Sequence, residues 1–222
     1  METIVIGGTK CGTGKTTIAT NLAVGLAKQK KKVLLVDSDF HQDTMAWRLL
    51  RDGNDSIAAV SITTPTLHKD IAAIGASFDY VIVDVGGRDS GVLRSAFIAA
   101  DLIIIPVLAS PYDIWSAYDT IAVVDEAEAA RGHEVCTRLA LNQVIVNNVI
   151  LREALEALND EILPPCVNTF IHMRMLFKMA TTKGLSVLEM RKNKKTERAI
   201  TEMQDFTEDI LLLLEEEKEA EN

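Results

Sequence analysis

Apolar residues along this chain fall into short unbroken runs, separated by longer stretches in which they recur every three or four positions. The runs are "TIVIG" (3–7), "KVLLVD" (32–37), "DYVIVD" (79–84), "DLIIIP" (101–106) and "RLALN" (138–142). Runs this short, rich in β-branched residues and without polar alternation, predict strands buried on both faces of a parallel sheet. After the first run, Lys15 to about Lys28 places Ile18, Ala19, Leu22, Ala23 and Leu26 on one helical face. The repeated strand and helix order predicts an α/β fold, a doubly wound, mostly parallel sheet flanked by helices. Its crossovers are right-handed and its ligand site lies at the carboxyl ends of the strands. Near the end, Ala199, Met203, Phe206, Ile210 and Leu213 are spaced four and three apart, which predicts a helix packed on the core. The last segment, "EEEKEAEN" (215–222), is expected to fray into solvent beyond a single domain of residues 1–214.

Composition narrows this picture. A chain of 222 residues, 48% hydrophobic, is long enough to bury the core of one domain. Met1-Glu2 runs straight into the first strand with no basic or long apolar leader, and no apolar stretch approaches about 18 residues. The expectation is a soluble cytoplasmic protein with no membrane partner. Cys11, Cys136 and Cys166 are far apart and odd in number, so free thiols are expected. His133 and Cys136 alone make no tetrahedral metal site. The net charge of −9, from 23 basic and 32 acidic residues, excludes a surface that is basic throughout. One local exception is "RKNKKTER" (191–198), five cations against one acid, preceded by Arg174, Lys178 and Lys183.

Three strand ends carry chemistry. The first run leads into "GGTKCGTGKTTIAT" (7–20), where Gly12 and Gly14 let successive backbone N–H groups turn toward phosphate oxygens at a helix amino terminus. Lys15 is placed to reach the β- and γ-phosphates, and the Thr16 hydroxyl to bind Mg²⁺. Lys10 is a second lysine in the same loop. The second run ends in "VDSDFHQDTMAW" (36–47), whose Asp37 and Asp39 can act on Mg²⁺ and on a water in line with the γ-phosphate. The third ends in Asp84, followed by Gly86-Gly87, an acid able to hold the metal through water and a turn able to respond to the γ-phosphate.

With these motifs in order, the chain resembles the ParA/MinD family of deviant phosphate-loop ATPases. "KCGTGKTT" is similar to the family's K-G-G-x-G-K-T-T loop, and "DSDFHQ" stands where the family has D-x-D-P-Q. "YVIVDVGG" matches the metal-side strand, and "ADLIIIPVLASPYDIWSA" matches a stretch typical of small plasmid-type ParA partition proteins. The resemblance continues through "KMATTKGLSVLEM" (178–190) and implies the deviant phosphate-loop NTPase sheet. It also implies ATP and Mg²⁺ as cofactors. Lys10, Cys11, Gly12, Thr13, Gly14, Lys15, Thr16 and Thr17 would hold the nucleotide, and Thr16, Asp37 and Asp84 the metal. Asp39 would orient the attacking water, with Lys10 and Lys15 as its catalytic companions. Asn142 falls where the family uses an asparagine on adenine, with Asn147 and Asn148 as rivals. Phe40-His41 and Cys11 depart from the family pattern.

For the opening pair of lysines the resemblance implies a division of labour. Lys15 serves its own site, and Lys10 reaches the nucleotide of a second copy in an ATP homodimer. The function implied is DNA partition. The ATP dimer would bind nonspecific DNA on the nucleoid through Arg174, Lys178, Arg191, Lys192, Lys194 and Lys195, and a ParB-like centromere-binding activator would reset it through hydrolysis. A MinD-like or carboxysome-type positioning ATPase is the alternative. A metabolic ligase such as dethiobiotin synthetase shares the fold but leaves "SPYDIWSA" unexplained. Trp115 in that stretch is expected to anchor packing.

Overall fold

The computed structural model describes residues 1–51, 57–88, 90–146 and 148–220. Among them the chain runs β1 (Glu2–Ile6), α1 (Lys15–Lys28), β2 (Val33–Asp37), α2 (Asp43–Leu49), β3 (Ile57–Ser61), α3 (Leu67–Ile74) and β4 (Tyr80–Asp84). It continues through α4 (Gly91–Ala99), β5 (Leu102–Val107), α5 (Pro111–Arg131), β6 (Cys136–Leu141), α6 (Asn148–Leu158), α7 (Met175–Thr181) and α8 (Glu197–Ala220). The strands form one parallel sheet in the order β3-β2-β4-β1-β5-β6.

The unbroken apolar runs are explained by two cores, one on each face. Ile4, Ile6, Leu35, Ile82 and Ile104 point toward α1, α2, α7 and α8. Their chain neighbours Val5, Leu34, Val36, Val81, Val83 and Ile103 point toward α3, α4, α5 and α6. Strand parity therefore fixes where the acids face: Asp37 lies two residues beyond Leu35 and Asp84 two beyond Ile82, which turns both carboxylates to the α1 side. They sit in register on adjacent strands, Asp37 beside Asp84.

All five expected strands are present, shifted by a residue or two at their ends. A sixth, β3, is the sheet edge beside β2; its "IAAVS" carries too few bulky residues to stand out as a run. The final helix also differs from expectation. Its buried stripe is Ala199, Met203, Phe206, Ile210 and Leu214, with Leu213 only partly buried. It stays helical to Ala220 where fraying was expected from 215, and Lys218 on this extension pairs with Glu2 at 3.0 Å. At the crossing of α1 and α8, a Cβ on Gly25 would sit 2.4 Å from the Thr207 hydroxyl, so the two helices approach too closely there for any side chain. None of the three cysteines is in a disulfide.

Beyond β6 the chain folds back along that strand. Val167 N–H donates to Leu139 O at 2.8 Å, and Ile171 N–H to Leu141 O at 3.0 Å. This return covers the outer edge of the sheet and carries His172 to Lys178 to the mouth of the loop that follows β1.

A candidate nucleotide and metal site

The loop between β1 and α1 is clamped from two sides. Gly14 closes it at a φ of 91°, the left-handed region in which glycine is favoured. A Cβ there would lie 2.2 Å from the Asn142 amide nitrogen. That nitrogen donates to Thr13 O at 2.7 Å, and the Gln143 amide donates to Gly12 O at 3.1 Å. On the other side Gly87 presses against the loop: a Cβ would meet the Lys10 and Cys11 backbone at 2.7 Å, and the Cys11 thiol donates to Gly87 O. Residues that follow β4 and β6 thus shape a loop that follows β1.

The two lysines have different anchors. Lys15 is buried, and its Nζ donates to the Lys10 carbonyl at 2.7 Å inside the curl of the loop. Burial lowers its pKa, with Asp84 opposing. Lys10 turns outward, its Nζ 2.9 Å from Asp113 Oδ1 in the first turn of α5. Asp113 is itself buried and accepts from the Ser110 hydroxyl that caps this helix.

On the α1 side of the sheet the acidic groups converge. Asp84 is buried, and its Oδ2 accepts from Thr16 Oγ1 at 2.7 Å and from Thr44 Oγ1 at 2.8 Å. Burial pushes its pKa up to about 6, against the two hydroxyl donors. Asp37 is also raised by burial, and it accepts from Met45 N–H at 2.8 Å and Asp39 N–H at 3.1 Å. Two buried carboxylates side by side in register need a cation to be comfortable as anions. The donor set of Thr16, Asp37 and Asp84 is all hard oxygen, which suits Mg²⁺. Among the described residues no three His, Cys, Asp or Glu side chains gather as a metal cage, so phosphates and water would complete the shell. Asp39 stands apart and half-buried: its carboxylate faces Gly86 and accepts from His41 N–H at 3.0 Å.

Next to the loop lies a largely apolar cavity of about 480 Å³, lined among others by Gly14, Thr17, Asn142, Gln143, Met173 and Phe177. Its size and position suit a nucleoside, and Asn142 lies on its wall. The Asn142 amide nitrogen spends one of its two hydrogens on Thr13 O, which leaves the second hydrogen and the carbonyl oxygen to meet a base. Of the rivals, Asn147 lies outside the described residues and Asn148 opens α6.

The basic residues separate into two groups. Arg191, Lys192, Lys194 and Lys195 are exposed on a turn leading into α8. The turn is held by Thr196 Oγ1 donating to Arg191 O and by Lys195 N–H donating to Asn193 Oδ1. Lys192 also pairs with Glu197 at 3.7 Å. Arg174, by contrast, is neutralised by Glu202 and lines the cavity, as does the exposed Lys178. Trp115 is 62% exposed and meets Tyr112 edge to face, so it is no core anchor. Sequence reasoning passed over Thr44, Gln143 and Asp113; each acts through a contact more than 35 residues away that its neighbouring sequence does not mark.

A family model described as VirC1 protein matches residues 1–212. The chain belongs to the VirC1 protein family. The likeness to ParA/MinD-type phosphate-loop ATPases drawn from the motifs therefore holds. Among curated proteins the chain is similar to a maintenance of carboxysome distribution protein A of Halothiobacillus neapolitanus, 28% identical over 193 residues, spanning 85% of this chain and 87% of that one. The solved septum site-determining protein MinD of Pyrococcus horikoshii, complexed with Mg-ADP, shares the fold with a TM-score of 0.77 at 16% identity, over 94% of this chain and 95% of that one. A putative plasmid partition protein of Borrelia burgdorferi bound to AMPPNP does so with a TM-score of 0.72 at 18% identity, over 95% and 98%. Among the described residues no helix is long and apolar enough to cross a membrane.

Proposed function

We propose that this protein is a Mg²⁺-dependent ATPase of the DNA-partition kind: it dimerises on ATP, holds DNA without sequence preference as a dimer, and lets go on hydrolysis. The observation that carries the reading is the divergent anchoring of the two loop lysines. Lys15 points into the loop where phosphate would lie. Lys10 points out over α5, where a second copy can receive it. In a face-to-face dimer two bound triphosphates bring many negative charges together, and a cation contributed by each partner offsets them where water is scarce. Phe40, Tyr112 and Trp115, exposed by 91%, 72% and 62%, lie on segments that leave the same strand ends and supply apolar surface for that contact.

Within the site each group has a task. Backbone N–H groups of residues 12–16 and the start of α1 cradle the β- and γ-phosphates, and Lys15 exchanges the Lys10 carbonyl for phosphate oxygen. When bound, Mg²⁺ would supply positive charge to offset the charge that develops on the phosphates during hydrolysis. Thr16, Asp37 and Asp84 would hold it. Asp39 orients the water, so Asp39→Ala is expected to keep ATP binding and the dimer while hydrolysis falls about a hundredfold or more. Normal turnover by that variant, measured beside its ATP affinity, would remove Asp39 from the chemistry.

The DNA face is the turn carrying Arg191, Lys192, Lys194 and Lys195. The amino-terminal end of the α8 dipole adds positive potential to it, offset in part by Glu197 in the first turn. Arg174, paired with Glu202, contributes less than its position in the sequence suggested. Reversing Lys194 and Lys195 to Glu should leave the ATP dimer intact and weaken binding to nonspecific duplex, with a shallower dependence on salt. Unchanged affinity and slope would move the DNA face elsewhere.

A second reading keeps the ATP cycle but changes the cargo. The 28% identity to a carboxysome distribution protein supports a protein assembly, rather than a replicon with its ParB-like activator, as the object moved. Which basic or self-associating protein accelerates hydrolysis decides between them.

A further inference from the structure

We infer that Thr44 is a positioning residue of the metal site, coupling α2 and the Asp39 loop ahead of it to Asp84. This rests on the Mg²⁺-nucleotide reading given above and goes beyond it, because Thr44 belongs to neither the phosphate loop nor the strand-end acids.

The geometry is unusual for a surface-layer helix. Thr44 is the second residue of α2, yet it is fully buried, and its hydroxyl donates to Asp84 Oδ2 at 2.8 Å. Thr16 donates to that same oxygen at 2.7 Å from the other side. One carboxylate oxygen therefore holds two hydroxyl protons, one from the phosphate loop and one from the segment after β2. The next residue of α2 is tied to the other acid, Met45 N–H donating to Asp37 Oδ2 at 2.8 Å. The start of α2 is thus fastened to both carboxylates that face α1. The loop it terminates, Ser38 to Gln42, contains Asp39.

A hydroxyl that spends its proton on Asp84 does two things. It fixes the rotation of a carboxylate that would otherwise be held by Thr16 alone. It also makes the position of α2 depend on where the carboxylate sits, so that a cation drawing on Asp37 and Asp84 would pull on α2 and the Asp39 loop through Met45 and Thr44. Outer partners of this kind commonly alter metal affinity by about 10- to 100-fold when removed. The buried Thr44 hydroxyl is directed at Asp84 and not into the loop after β1, so its loss should leave metal-free nucleotide binding alone.

The test uses the full chain with ADP as probe, titrated with Mg²⁺, and with EDTA as the metal-free arm. Thr44→Val keeps the shape and loses the hydroxyl; Thr44→Ala is run beside it to expose crowding by valine, and Thr44→Ser restores the donor. Both hydroxyl-less variants are expected to need about tenfold more Mg²⁺ for half-maximal tightening of ADP, with affinity in EDTA unchanged, and serine is expected to rescue. Amide exchange over Asp43–Leu49, slowed by Mg²⁺ and ADP in the wild type, should no longer respond in the valine variant. A wild-type Mg²⁺ requirement in both variants, or equal losses with and without metal, overturns the role of Thr44 alone. Wild-type protein that binds ADP with no response to Mg²⁺ overturns the metal-site reading, and this inference with it.

Discussion

Lys15→Ala should weaken binding of ATP and ADP about 100-fold, the scale of a lost charge-assisted bond in a water-poor loop. The same substitution should not harm the fold. In the nucleotide-free protein the Lys15 ammonium is buried, its pKa is lowered by that burial, and its hydrogen bond goes to one carbonyl, that of Lys10. Removing it relieves a desolvated charge, so the unliganded variant is expected to melt at or above the wild-type temperature while calorimetry finds no binding at wild-type working concentrations. Retained ADP affinity would contradict the phosphate-loop reading. Lost affinity together with a large drop in melting temperature would make Lys15 structural.

Lys10→Ala should separate binding from assembly. Its nucleotide affinity is expected to stay near wild type, because Lys15, Thr16 and the loop amides remain. The ATP dimer is expected to be lost. In the single chain the Lys10 ammonium is already satisfied, paired with Asp113 at 2.9 Å, so reaching a second copy means leaving that partner. Asp113 can tolerate the exchange, since it sits in the first turn of α5 where helix N–H groups favour a negative charge. Log affinity for DNA falls with log salt in proportion to the phosphates neutralised, and a chain left as a monomer presents half the basic turns. Its affinity for nonspecific duplex should therefore drop steeply and its salt slope fall to roughly half that of wild type.

How much of this was legible in the sequence follows from how local each signal is. Strands β1, β2, β4, β5 and β6 announce themselves because burial on both faces demands unbroken apolar residues. β3, a half-covered edge strand built on alanine, obeys a weaker demand and passed unnoticed. Glycines, lysines and acids at strand ends were readable for the same reason: the loop chemistry sits in consecutive residues. Contacts made across the fold were not. Nothing near Thr44 says that its hydroxyl faces Asp84 forty positions away, and nothing near Asn142 says that its amide braces Thr13. The basic run at 191–198 was visible as charge, while the neutralisation of Arg174 by Glu202 needed the fold to appear. The buried stripe ends on Leu214 and not Leu213 because a spacing of four and three repeats every 3.5 residues, from which a helix of 3.6 residues per turn drifts over its length.

ATP-driven pairing through Lys10 is the step on which the proposed cycle depends. Light scattering on the wild-type chain and on Lys10→Ala, each with Mg²⁺ and a slowly hydrolysed ATP analogue, measures it directly. The expected result is twice the single-chain mass for the wild type and the single-chain mass for the variant, with the analogue bound to both. A wild-type protein that stays at the single-chain mass while saturated with the analogue, or a Lys10→Ala protein that pairs as well as wild type, would contradict it.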